Sequence, residues 1–270
     1  MSFWDHLEEF RWTLIRIIIA VVSFSAVGFI LIPRIFDSVI LAARSSDFIT
    51  YRLLEKAGEF IPFLPDFSAE SFEVEILNIS MTTQFMTYIS TSMAFGLLCT
   101  IPYILYELWK FVSPALYENE AKGVKTAFGF GGLMFVMGCL MGYFVVFPLI
   151  FRFLITFELS ESIENMISLD SYMSNFYTLI LIMGLVFELP LVFWLLSNLG
   201  LVYRPFFRKY RRHAVVGALL AAALITPSGD PFSLFVVSVP IYMLWEISAF
   251  MVKKEPPEEE EDENLPALFE

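Results

Sequence analysis

The two histidines, His6 and His213, lie far apart in polar segments. The chain holds no HExxH pair, no GxSxG elbow and no Walker A loop, so metalloprotease, serine-hydrolase and nucleotide-triphosphate chemistry have no residues to run on. Ser228-Gly229-Asp230 falls in a turn with no base beside it in sequence. Cys99 and Cys139 stand inside apolar segments and read as small core residues rather than as a disulfide or metal ligands. No cofactor or metal site is expected. What remains are carboxylates in unusual places. Glu188 sits between Phe187 and Leu189 in a long apolar run. A carboxyl in hydrocarbon is expensive and by default functional, either protonated or hydrogen-bonded across helices. The bland alternative is a structural bond inside the bundle. Further acids, Glu8 and Glu9, then Glu118 and Glu120, lie in polar stretches that flank apolar runs.

The elements that must position these groups follow from composition. Of 270 residues 57% are hydrophobic and 17% charged, with 30 Phe; a soluble domain is about 25% charged. No soluble core of this size could bury that apolar surface, so lipid is part of the solvent. A soluble enzyme, a nucleic-acid binder and a disordered protein are excluded. A helix needs about 20 apolar residues to cross a ~30 Å core, and the spans read as 12–36, 77–111, 124–151 and 171–201. A short fifth helix of about 12 apolar residues (214–225, ~18 Å) follows, then a sixth at 232–252, also tight. The fold class is an all-α integral membrane protein with six transmembrane helices. The segments between are a start at 1–11, a long loop at 37–76 with amphipathic pieces near Ser38–Ala43 and Thr50–Phe60, loops at 112–123, 152–170 and 202–213, and a turn at 226–231.

Orientation follows from the short loops. Twelve of the 17 Lys and Arg, including Arg204, Arg208, Lys209, Arg211 and Arg212, fall on the side of both termini, and five on the other. The positive side is cytoplasmic. The segment 253–270 carries Pro256-Pro257 and eight of the 29 acids, a composition that does not pack. Ser2 with Asp5 reads as a capping box, Glu8 and Arg11 as an i,i+3 pair, and Ser113-Pro114 as an N-cap followed by a first-turn proline.

Five short motifs now fall in order. His6-Leu-Glu-Glu-Phe-Arg11 resembles the HLxELR motif of the TatC family, the multispanning core subunits of the twin-arginine protein translocase, with Phe10 in place of the usual Leu. Ser113-Pro-Ala-Leu-Tyr117 with Glu120 is similar to the family's PALYxxE loop, and Phe187-Glu-Leu-Pro190 to its FExP. Tyr203 to Arg212 resembles its basic loop, and Thr226-Pro-Ser-Gly-Asp230 its TPxxD turn. Glu107 stands where the pattern leads one to expect Gln, and the tail lies outside the resemblance.

The resemblance implies a receptor for signal peptides with paired arginines, in a bacterial inner membrane, that supports export of folded proteins driven by the proton-motive force. Its partners would be single-span TatA/TatB-type subunits, further copies of itself and the bilayer; no nucleic acid is implied. It assigns signal-peptide binding to Glu9 and Glu120, supported by Arg11, Phe111, Pro114, Leu116 and Tyr117. Glu188 and Pro190 would serve partner contact inside the membrane, and Pro227 and Asp230 the outer turn. The chemistry agrees, since guanidinium groups are best held by carboxylates. The alternative is a proton-coupled small-solute transporter using Glu188, which would have no need for Glu9 and Glu120; the sequence shows no internal repeat that would favour it.

Overall fold

A backbone in hydrocarbon must bond to itself, so the apolar runs become helices. The computed structural model describes residues 3–58, 74–112, 118–157, 160, 165–226 and 228–254, and the side chains of these except 3, 56–58, 109, 112 and 118–128. Helix α1 (Phe3–Ile35) runs 33 residues, about 50 Å at 1.5 Å per residue, and so extends well past a ~30 Å core. A π-helical segment (Phe36–Ile40) and a 3-10 turn (Ala42–Arg44) lead to α2 (Ile49–Gly58). A two-residue strand β1 (Ile76–Leu77) precedes α3 (Thr83–Val112). Helix α4 (Glu118–Met141) passes through a second π-helical segment (Gly142–Val146) into α5 (Phe147–Thr156). Strand β2 (Ile167–Ser168) opens α6 (Leu169–Val186), and α7 (Leu189–Asn198) completes that pass. Short α8 (Arg204–Lys209), α9 (Arg211–Ile225) and α10 (Pro231–Met251) finish the chain.

Helix α1 lies antiparallel to α3, with the Tyr88 hydroxyl donating to the Phe29 carbonyl and the Phe29 and Tyr88 rings edge to face. Helix α4 packs on α6 through Gly138. A Cβ there would lie 2.5 Å from the Met183 carbonyl oxygen and 2.8 Å from Gly184 Cα, so the two backbones touch. Close approach of this kind is how helices associate where the hydrophobic effect gives them no drive.

At the end away from the N-terminus, both π-helical segments expose carbonyls that the helical ladder does not use. Hydroxyls satisfy them. Tyr143 donates to Val39 (2.7 Å), Tyr172 to Ile40 (2.6 Å) and Thr50 to Phe144. The Tyr51 hydroxyl lies 3.1 Å from the Ala43 carbonyl oxygen and 3.2 Å from that of Pro148, sharing one proton between them. Around these bonds packs a buried aromatic cluster, with Phe147, Phe151, Tyr172 and Phe176 in mostly edge-to-face contact. A parallel bridge, Ile76 to Ile167 and Leu77 to Ser168, joins the two connecting loops at this end.

The structure keeps most of the expected spans and shifts their limits. Among the described residues five helical segments are long and apolar enough to cross a membrane: Trp4–Arg44, Thr83–Leu108, Gly129–Thr156, Leu169–Asn198 and Pro231–Met251. Helix α9 is short as expected, at 15 residues or about 22 Å. The expectation of a tight sixth helix is corrected: α10 has the same 21 residues as expected, shifted by one to start directly at its cap, and at about 32 Å it is long enough for the core. The second span begins at Thr83 rather than 77, because Leu77 is held in the bridge. The fourth is broken at Phe187–Glu188. Ser2, residues 113–117, Pro227 and the segment 255–270 lie outside the described residues.

Gly138→Ala should destabilise the fold by about 1–3 kcal/mol, because its methyl group would meet backbone. Gly129→Ala, on the same helix with nothing within 4 Å of the new Cβ, should be neutral or stabilise by up to about 1 kcal/mol. Thermal unfolding of both variants in one detergent reads the difference.

Candidate functional site

The last two turns of α3 and the first turns of α1 form one surface. On α3, Tyr103, Glu107 and Phe111 recur every four residues and share a face. On α1, His6, Phe10, Thr13 and Arg16 do the same at spacings of three and four. The two stripes close on each other. The His6 ring stacks on Phe111 with centroids 4.3 Å apart, and Phe10 leans on the same ring at 5.6 Å. Further in, Arg16 Nε donates to Glu107 Oε2 at 2.8 Å and an Arg16 terminal nitrogen donates to Thr13 Oγ1 at 3.0 Å. The Tyr103 hydroxyl donates to the other Glu107 oxygen at 2.9 Å. Glu107 is 3% exposed, so this carboxylate is buried with both oxygens bonded and its charge matched.

Glu9 is half-buried at the edge of this surface, while Glu8 and Arg11 are exposed. Glu120 lies in the first turn of α4, and only residues 113–117 separate that helix from the end of α3. Its side chain, and Pro114, Leu116 and Tyr117, lie outside the described residues.

Glu188 occupies the break between α6 and α7. Pro190 sits at the second position of α7, where its missing N–H breaks no helical bond. The Glu188 carbonyl still accepts from Val192 N at 3.0 Å. Among the described residues neither carboxyl oxygen has a hydrogen-bond partner, although both are buried. The carboxyl lies over Gly131 of α4: a Cβ on that glycine would be 3.0 Å from Glu188 Oε2 and 2.6 Å from Leu191 Cδ2. A bare helix surface thus makes room for the acid.

Asp230 caps α10. Its Oδ1 accepts from Ser233 N at 2.8 Å and its Oδ2 from the Ser228 hydroxyl at 2.6 Å. Burial alone would push this carboxyl up, but those hydrogen bonds outweigh it and hold the group below the usual carboxylate range. The cap is therefore strongest above that range and weakens as pH falls through the lowered value. Gly229, at φ +60°, gives the turn its left-handed residue.

Two ion pairs between residues distant in sequence could not be read from it. Arg16 and Glu107 are 91 positions apart. Arg211 grips Glu246 with two bonds of 2.7 and 2.6 Å, and Tyr242 adds a third at 2.8 Å. Glu107 carried a signal, as an acid where Gln is the pattern; nothing in sequence named its partner. Among the described residues no group of His, Cys, Asp and Glu could hold a metal ion.

Residues 5–240 match the family model described as Sec-independent protein translocase protein (TatC). The chain belongs to the TatC family. It is 36% identical over 252 residues to the Sec-independent protein translocase protein TatC of Blattabacterium sp. subsp. Periplaneta americana (strain BPLAN), covering 93% of this chain and 94% of that protein. To the TatC of Aquifex aeolicus (strain VF5) it is 29% identical over 254 residues, covering 94% and 95%. A crystal structure of the twin-arginine translocase receptor TatC superposes with a TM-score of 0.69 at 28% identity, over 91% of this chain and 97% of that one. The chain is thus a membrane component of a protein translocase, a transport role.

Arg16→Ala would strand Glu107 as an unpaired buried charge and should cost about 3 kcal/mol, the low end for breaking a buried pair because Arg16 keeps some exposure. Glu107→Gln in the same background should recover most of the loss. Thermal unfolding of the single and double variants measures both steps.

Proposed function

We propose that this chain is the signal-peptide receptor and scaffold of a twin-arginine translocation system in a bacterial inner membrane. In this reading it has six spans and cytoplasmic termini, and it supports proton-motive-force-driven export of folded proteins. Paired arginines of the signal peptide bind at Glu9 and Glu120, with Arg11, Phe111, Pro114, Leu116 and Tyr117 shaping the site. The supporting observation is the stacking of His6 and Phe10 on Phe111. It joins the segment that carries Glu9 to the end of the helix that leads to Glu120. Two carboxylates tethered to one aromatic platform suit two guanidinium groups, each able to accept a planar fork.

Glu9→Ala and Glu120→Ala should each weaken an Arg-Arg signal peptide by about 1.5–3 kcal/mol, at least tenfold in Kd. Replacing the arginine pair with lysines should also weaken binding, because Lys cannot form the fork. Titration of a labelled peptide against the purified receptor in nanodiscs tests this, and unchanged affinity in the double variant overturns it.

Inside the membrane, Glu188 and Pro190 offer a polar contact to single-span TatA/TatB-type partners, while Pro227 and Asp230 shape the outer turn. The unpartnered carboxyl of Glu188 also favours a second reading, a proton-coupled solute transporter. Glu188→Gln keeps the shape and a hydrogen-bonding group but cannot exchange a proton. Under the assembly role, Gln should retain much of the partner crosslinking and export that Ala loses. Loss of export in both variants with partner crosslinks intact would favour proton coupling.

A further inference from the structure

The loop that follows α7 and the exit of α10 are tied together. Lys253 N donates to the Ser197 hydroxyl oxygen at 2.9 Å, and Arg204 N donates to the Lys253 carbonyl at 3.0 Å. Helix α8 is itself anchored. Phe207 is 2% exposed and packs on Phe193 and Trp245 with centroids 5.0 and 4.7 Å away. With Phe207 inward, Arg208 and Lys209 are exposed, as are Arg212, Lys253 and Lys254. The Arg204 guanidinium lies over the Phe250 ring at 5.2 Å. The carboxylate that α10 contributes here, Glu246, is used by Arg211 and Tyr242. Among the described residues, Arg204, Arg208, Lys209, Arg212, Lys253 and Lys254 have no ion-pair partner. The fold thus holds a fixed face of six cations at the point where the chain leaves α10.

The sequence beyond that point is 16 residues with eight Asp and Glu, among them 258–263 without interruption, and no Lys or Arg. It lies past the family match, which ends at residue 240. We propose that the acidic segment 255–270 docks on the basic face formed by α8, the start of α9 and Lys253–Lys254, as an intramolecular counter-ion. Reach allows it. The run begins four residues past Lys254, at most about 14 Å of extended chain, and α8 is about 9 Å long. Tethering supplies an effective concentration in the millimolar range, which a free partner would have to match. The two hydrogen bonds at Lys253 place face and tail on one side of the membrane whichever way the protein is oriented. Anionic lipid headgroups are the competing occupant, since a basic loop at a membrane surface attracts them.

Carbodiimide coupling of the full-length protein in zwitterionic nanodiscs tests the docking, with isopeptide links read by mass spectrometry. Links from Lys253 and Lys254 to the tail report tether proximity alone; a link from Lys209 reports docking. The Lys209 link, normalised to the Lys254 link, should form within single molecules. It should fall at least about fivefold as salt rises from about 50 to about 500 mM, and comparably in the Arg204→Gln, Arg208→Gln, Arg212→Gln variant. A ratio indifferent to salt, or a link formed only between molecules, overturns the proposal. So does loss of the Lys209 link when anionic phospholipid is included in the nanodisc, which would assign the face to headgroups.

Discussion

Hydrocarbon offers no hydrogen bonds, and a polar group left alone in it costs several kcal/mol. That constraint orders the parts of this molecule. Hydroxyls within the long helices turn back on the carbonyl four residues earlier, as at Thr91, Ser92, Thr100 and Ser248. Where the backbone departs from α-geometry, tyrosine and threonine hydroxyls reach the freed carbonyls from other elements. The irregular end of the bundle is therefore a place where side chains substitute for the helical ladder, and the aromatic cluster around it keeps water from competing. Glu188 departs from this pattern, a carboxyl admitted by a glycine opposite that, like the Trp245 indole nitrogen, has no hydrogen-bond partner among the described residues.

The same constraint links stability to the surface proposed for signal-peptide binding. The Arg16–Glu107 pair, closed by Tyr103 and Thr13, fixes the sliding register of α1 on α3. Phe111 is one turn beyond Glu107, and His6 and Phe10 are on the matching turns of α1. A rigid charge pair thus sets the height at which His6 and Phe10 meet Phe111. The charge of Glu107 is balanced by an arginine from α1, the helix whose register the pair fixes.

What the sequence disclosed was local. Apolar runs marked the long helices because lipid imposes a length, and α9 was visibly short for the same reason. Asp230 was legible as part of the outer turn; its role as the α10 cap appears once Pro231 is seen to begin the helix. The ion pairs were hidden because their members sit 91 and 35 positions apart, and each arginine is fully accounted for by loop-charge asymmetry when taken alone. The π-helical segments were hidden because Phe36–Ile40 and Gly142–Val146 have ordinary helix-compatible compositions; only contacts with distant hydroxyls make the altered ladder worthwhile. Helix α10 keeps the length of the expected 232–252 but starts one residue earlier, because Pro231 was assigned to the turn, whereas it begins the helix.

The small parallel bridge has a consequence for biogenesis. Ile76 pairs with Ile167 and Leu77 with Ser168, so the two strands enclose all of α3, α4 and α5. During synthesis no part of this contact can exist until those helices have emerged and been threaded back across the bilayer. Closing so long a loop costs entropy that only the packed helices can offset. The bridge is therefore a late latch, and an opened bridge would mark chains whose middle helices were inserted in the wrong sense.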